Sequence, residues 1–175
     1  SIDDTSKVCL ELKLKSRFPV TIIESNLHVG KPRMDNELIK TAKGDFVIWC
    51  DSDDYLVPGA IERLVNVWEL MPAANQASYL ALVALCATEE GVLQSKPSSR
   101  SGIFDTTLNR LSDVYNVTGD MVTFLKTEKI KNLRFLEVDF MISEGSLWMN
   151  LGDMKIKYIP EIVKIMYRGA SNRIS

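Results

Sequence analysis

A short apolar run that ends in three carboxylates is the feature that most limits what this chain can become. It reads Gly44-Asp45-Phe46-Val47-Ile48-Trp49-Cys50-Asp51-Ser52-Asp53-Asp54. Five apolar residues bounded by Gly and a polar turn predict a strand over Phe46–Cys50, buried on both faces. Strands of that kind belong in parallel or mixed sheets covered by helices. Asp51 and Asp53 then fall at the carboxyl end of the strand, where open α/β sheets bind ligands. Clustered carboxylates repel one another unless a positive charge sits among them. A divalent cation carrying phosphate oxygens meets that need, because Mg²⁺ and Mn²⁺ prefer hard oxygen donors. Capping the next helix would need one Asp, not three.

Composition narrows the classes. At 175 residues the chain suits one domain with a core that needs no covalent staples. A net charge of -2 leaves no basic field for nucleic acid. Cys9, Cys50 and Cys86 are odd in number and far apart, and two lie in apolar runs, so they read as buried free thiols in a reducing compartment. His28 is the only His, which argues against a His-based metal site or triad. No apolar run approaches a membrane span of about 20 residues, and no signal peptide opens the chain.

Taken in order, the pattern predicts a polar turn at Asp3-Asp4-Thr5-Ser6, a short helix over Val8–Leu14 and a β-branched strand over Pro19–Glu24. A loop follows, with Gly30, Lys31, Pro32 and Arg33. A helix over Met34–Lys43 has Met34, Leu38, Ile39 and Ala42 on one face and ends at Gly44. Beyond the acidic turn, Pro58-Gly59 opens a helix over Ala60–Leu70, with Ile61, Leu64, Val65 and Trp68 inward. Tyr79–Ala87 is a second buried strand. Val92–Thr107 reads as an irregular loop flanking the site rather than core. A short helix is expected within Thr107–Tyr115, a strand over Met121–Lys126 and a short helix over Thr127–Lys131. A further helix is expected over Ser143–Leu151, and strands over Lys155–Ile159 and Ile162–Tyr167 meet at Pro160-Glu161. This alternation argues for an α/β fold with a mixed sheet.

These residues resemble the inverting nucleotide-sugar glycosyltransferases of family 2, and the resemblance runs almost end to end. Ile2-Asp3-Asp4-Thr5-Ser6 resembles the family's Asp-Asp-Gly-Ser, with Thr5 in place of Gly. Asn26, Gly30, Asn36 and Ala42-Lys43-Gly44-Asp45 follow in the family's order. The Asn-to-Gly spacing is longer, and Asp35 stands where the family usually has Arg. Asp51-Ser52-Asp53 matches the Asp-x-Asp motif. Arg134-Phe135, Glu137, Phe140, Glu144 and Leu147-Trp148 resemble the acceptor-side segment of members that build bacterial surface polysaccharides, with Ser143 where many carry a second acid.

The resemblance implies the GT-A fold, a mainly parallel mixed sheet flanked by helices. It also implies a single domain over 1–175, with a nucleotide-sugar half over about 1–90 and an acceptor half over about 91–175. It implies a chain lacking the family's first strand and helix, hence incomplete at its start and a poor enzyme alone. Asp53 and Asp51 would hold Mn²⁺ or Mg²⁺. Asp3 and Asp4 would face base and ribose, Lys31 and Arg33 the phosphates, and Glu144 would be the general base. The partners implied are a nucleoside-diphosphate sugar and a saccharide or lipid-linked acceptor. The implied location is the cytoplasm, at the inner face of the plasma membrane, with peripheral association. Ordinary structure offers rival roles: a first-turn carboxylate at Glu144 and solvated loop cations at Lys31 and Arg33. The rival functions are a sugar- or protein-binding module with a decayed transferase fold, an Asp-dependent phosphatase, for which Tyr55 stands in the place of Thr or Val, and a nucleotidyltransferase, whose basic Gly-rich opening loop is absent.

Overall fold

The computed structural model describes residues 4–27, 29–137, 150–167 and 169. Asp3, Ser143, Glu144 and nearly all of the helix expected over Ser143–Leu151 lie outside them. Six helices are seen among the described residues: α1 (Thr5–Lys15), α2 (Lys31–Thr41), α3 (Ala60–Glu69), α4 (Ala73–Gln76), α5 (Leu108–Asp113) and α6 (Thr127–Ile130). The strands are β1 (Phe46–Ile48), β2 (Asp54–Leu56), β3 (Tyr79–Thr88), β4 (Phe104–Thr107), β5 (Met121–Lys126) and β6 (Lys155–Met166).

They form one mixed sheet of order β1-β5-β3-β6-β2, with β4 also on β6. β3 is its axis. All ten of its residues are buried, which suits its unbroken apolar sequence. From Ala81 onward its side chains alternate between two cores. Ala81, Val83 and Leu85 meet Ile39 of α2, Leu111 of α5 and Ile130 of α6. Leu82, Ala84 and Cys86 meet Ala60, Leu64 and Trp68 of α3. The result is helix, sheet, helix.

The mixed α/β architecture expected from the alternation is present, but only β3–β6 is parallel. The other four described pairings are antiparallel. The strand expected over Pro19–Glu24 pairs with no described strand, and the segment is mostly exposed. β-branched residues favour a strand only where a partner accepts the backbone hydrogen bonds.

Other departures have local causes. β1 is half-buried rather than buried on both faces, because among the described strands it lies at the edge and pairs with β5 alone. The two strands expected at the carboxyl end are one, β6. Pro160 has no N–H to give the ladder, and the register jumps there from Ala84↔Ile159 to Leu85↔Ile162 without ending the strand. The segment expected to be a flanking loop contains β4 and the buried Phe104 and Ser95, so part of it is core. On α3, Ile61 faces solvent while Leu64 and Trp68 are inward. Cys86 is buried as expected, but Cys50 is exposed and Cys9 intermediate. α1 buries none of its residues.

Candidate active site

The topology places the acidic turn. β1 ends at Ile48 on one edge of the sheet, and β2 begins at Asp54 on the other. Residues 49–53 therefore cross the sheet. Asp54 pairs with Met166, which pairs with Thr88, the last residue of β3. The turn thus lies beyond the carboxyl ends of the parallel pair, the position at which open α/β sheets bind ligands. It is closed by the Asp54 N–H donating to the Asp51 carbonyl at 3.0 Å.

The three carboxylates part company here. Asp51 is exposed and Asp53 half-buried. Asp54 opens β2 and turns inward, its side chain 1% exposed, and its Oδ2 accepts from Lys164 Nζ at 2.7 Å. Burial works against the Lys164 charge, but the hydrogen bond and charge of Asp54 outweigh it and raise the Lys164 pKa. Nearby, the Cys50 thiol is also pushed up. Partial burial of the group is the main cause, although the residue as a whole is exposed. Lys164 opposes the shift, and Asp54, Asp51 and Asp53 add to it. Cys86 is raised to about 11, by burial above all, and its thiol donates to the Asp120 carbonyl at 2.8 Å.

Helix α2 supplies the opposite wall. It starts at Lys31 because Gly30, at φ 77°, takes the left-handed conformation that other residues resist, and Pro32 suits the first turn. Its apolar residues are too few to form the stripe expected at Met34, Leu38, Ile39 and Ala42. Leu38 is 47% exposed, and the buried face is instead Asp35, Asn36 and Ile39. Buried polar groups must be paired, and these are. Asp35 Oδ1 accepts from Trp49 Nε1 at 3.3 Å. Lys31 Nζ lies 3.6 Å from Asp35 Oδ2 and 3.6 Å from Asp51 Oδ1. With Lys31 and Asp51 about half exposed, the second pair contributes little, under about 1 kcal/mol, and a stronger anion can draw the ammonium away.

An open cleft of about 390 Å³ lies beside Lys31, lined also by Ser25, Asn26, Leu27, Val29, Gly30 and Met34. The N-terminal end of α2 and the Lys31 charge both favour an anion there. Asp51, Lys31 and this cleft are therefore brought together. Arg33 faces another way, its guanidinium donating to the Val29 carbonyl at 3.3 Å and lying 3.9 Å from Glu137. Asp4 is exposed at the start of α1, and its carbonyl accepts from the Val8 N–H. Among the described residues, no group of three or more His, Cys, Asp or Glu is poised around a metal. With Asp54 withdrawn, the turn offers two hard carboxylates. Mg²⁺-type ions are usually held by one or two, with phosphate and water completing the shell, so the residues fit such an ion.

Sequence reasoning passed over Asp35, Trp49 and Asp54 as partners. The signal available was helical spacing, since Lys31, Asp35 and Ile39 recur at i+4 and share one face.

The family model described as Glycosyl transferase family 2 matches residues 1–125. A relative from Campylobacter jejuni, GalNAc(5)-diNAcBac-PP-undecaprenol beta-1,3-glucosyltransferase, is 28% identical over 167 residues, covering 94% of this chain and 52% of the relative. An uncharacterized glycosyltransferase from Haemophilus influenzae is 32% identical over 74 residues, covering 42% of this chain and 25% of the relative. The chain thus spans about half the length of the first relative, and its match to the second covers a quarter of that protein.

Proposed function

Because this chain belongs to glycosyl transferase family 2, we propose that it carries out glycosyl transfer from a nucleoside-diphosphate sugar to an acceptor hydroxyl, with inversion, in the synthesis of a surface polysaccharide or glycoconjugate. The observation that carries this reading is the meeting of Asp51, Lys31 and the cleft at the start of α2. A carboxylate turn facing a displaceable cation and a helix N-terminus suits a diphosphate with its counter-ion.

In the reaction proposed, the bond from the anomeric carbon to the diphosphate oxygen breaks as the bond to the acceptor oxygen forms. One displacement inverts the anomeric centre. The acceptor proton passes to Glu144, a role that rests on the resemblance in its segment. Asp53 and Asp51 would hold Mn²⁺ or Mg²⁺, which when bound supplies positive charge against the departing diphosphate. Lys31 adds a second positive charge once drawn from Asp51. Arg33, like Asp3 and Asp4 at the base and ribose, keeps its place from the resemblance alone.

The name of the Campylobacter relative contains PP-undecaprenol. From it we infer a lipid-linked saccharide acceptor here, and hence work at the inner face of the membrane with peripheral association. No helix among the described residues is long and apolar enough to cross a membrane.

The test is a screen of UDP- and GDP-sugars with Mn²⁺, following thermal shift and release of nucleoside diphosphate. One donor should both stabilise the protein and be cleaved, faster with a saccharide acceptor, giving a product of inverted anomeric configuration. Retained configuration would rule out the single displacement. A chain indifferent to every donor would leave the binding-module rival in its place.

A further inference from the structure

One side chain in α2 holds a remote part of the chain. The Asn36 amide is buried and meets Phe135 at two points. Its Oδ1 accepts from the Phe135 N–H at 2.8 Å, and its Nδ2 donates to the Phe135 carbonyl at 3.1 Å. The same Nδ2 donates to Glu137 Oε1 at 2.7 Å. Arg33 Nε, one turn earlier on the helix, lies 3.9 Å from the other Glu137 oxygen. A buried amide that copies the hydrogen-bonding pattern of a neighbouring strand is selective. Asp could accept but not donate, and Leu could do neither.

The first turn of the same helix touches the acidic turn through Lys31. Lys31 and Asn36 are five residues apart on a continuous helix, about 7.5 Å along its axis at 1.5 Å per residue. α2 is thus a ruler whose start touches the Asp51 turn and whose middle grips Phe135–Glu137. Glu137 precedes Glu144 by seven positions.

We propose that Asn36 is a positioning residue, which holds the Phe135–Glu137 part of the acceptor-side segment at a fixed distance from the Asp51–Asp53 turn. This rests on the transfer reading above. Loss of Asn36 should not weaken nucleotide binding, since among the described residues its side chain bonds Phe135 and Glu137 rather than the Asp51 turn. It should misplace the acceptor relative to the donor.

The test compares the unaltered chain with Asn36→Asp, and with Glu137→Ala in case the first variant folds poorly. Three quantities are read: UDP affinity with Mn²⁺, amide exchange over Phe135–Glu137, and sugar transferred to a saccharide acceptor per sugar lost to water from the donor found in the screen. Asn36→Asp should leave UDP affinity unchanged and speed exchange at Phe135. It should lower the transfer-to-hydrolysis ratio by about tenfold to a hundredfold, the scale expected of a displacement near 1 Å. Glu137→Ala should move the ratio in the same direction by less. A merely structural role would lower UDP affinity and melting temperature together and leave the ratio alone, which would overturn the proposal. So would unaltered exchange at Phe135. If the unaltered chain neither binds UDP nor cleaves any donor, the transfer reading itself has failed, and this inference falls with it whatever the exchange shows.

Discussion

Asp54 and Lys164 form a buried ion pair, Nζ to Oδ2 at 2.7 Å, between diagonal neighbours on one face of the β2–β6 ladder. The acid stands next to Asp53 in sequence, yet its side chain points into the protein. Its second oxygen, Oδ1, is buried and has no hydrogen-bond partner among the described residues. Lys164→Met leaves that carboxylate buried and uncompensated, so it should cost about 3–5 kcal/mol by urea denaturation. Replacing both partners, Asp54→Leu with Lys164→Met, should cost clearly less than the single change. The raised Lys164 pKa gives the sign of the pH dependence. The contribution of the Lys164 charge is fully present below the ordinary lysine value of 10.5 and is lost as pH rises through the higher folded value.

Asp53 and Asp54 should therefore fail in different ways. Asp53→Ala should abolish Mn²⁺-dependent nucleotide binding in calorimetry while leaving the melting temperature near that of the parent. Asp54→Ala strips Lys164 of its buried partner, so stability should fall first. Unchanged nucleotide affinity in Asp53→Ala would remove this residue from the site.

For Glu144, the base proposed above, the Gln variant keeps the shape and removes the carboxylate. Transfer should drop by about 10²–10⁴-fold, the usual contribution of general-base catalysis. Donor affinity should hardly move, because Asp51, Asp53 and Lys31 are untouched. Near-normal turnover would remove Glu144 from the chemistry and turn attention to Asp139 and Glu137.

A pH effect of the opposite sign belongs to Asp105, the partner in register of Lys157 on the β4–β6 ladder. Burial alone would raise its pKa. Hydrogen bonds from Lys157 and Tyr79, with the charges of Lys157 and Lys155, outweigh this and lower it. Its stabilising contribution is present above the ordinary value of 3.8 and fades as pH falls through the lower folded value. Asp105→Asn should flatten the acid limb of the stability curve, measured by thermal melts between neutral pH and strong acid. An identical acid limb in the variant would assign the loss to other carboxylates.

What the residues alone determined is whatever depends on near neighbours in the chain. The unbroken apolar run of β3 could only be an interior strand, and Leu64 and Trp68 could only face inward from α3. An acidic turn had to follow Phe46–Ile48, although the helix expected to run as far as Gly44 stops at Thr41, with Ala42 as its cap. Local periodicity and turn chemistry carry that information. The partners were settled by tertiary structure. Pro19–Glu24 has strand-forming residues but no described strand pairs with it, so propensity alone does not make it one. The three acids of the turn read alike in sequence. They separate because β2 docks on β6 and brings Lys164 onto Asp54. The polar face of α2 is likewise invisible in one dimension, because Asn36 finds its partners 99 and 101 residues away. A buried polar side chain is tolerable only when a distant segment arrives to satisfy it, and which segment arrives is a property of the whole fold.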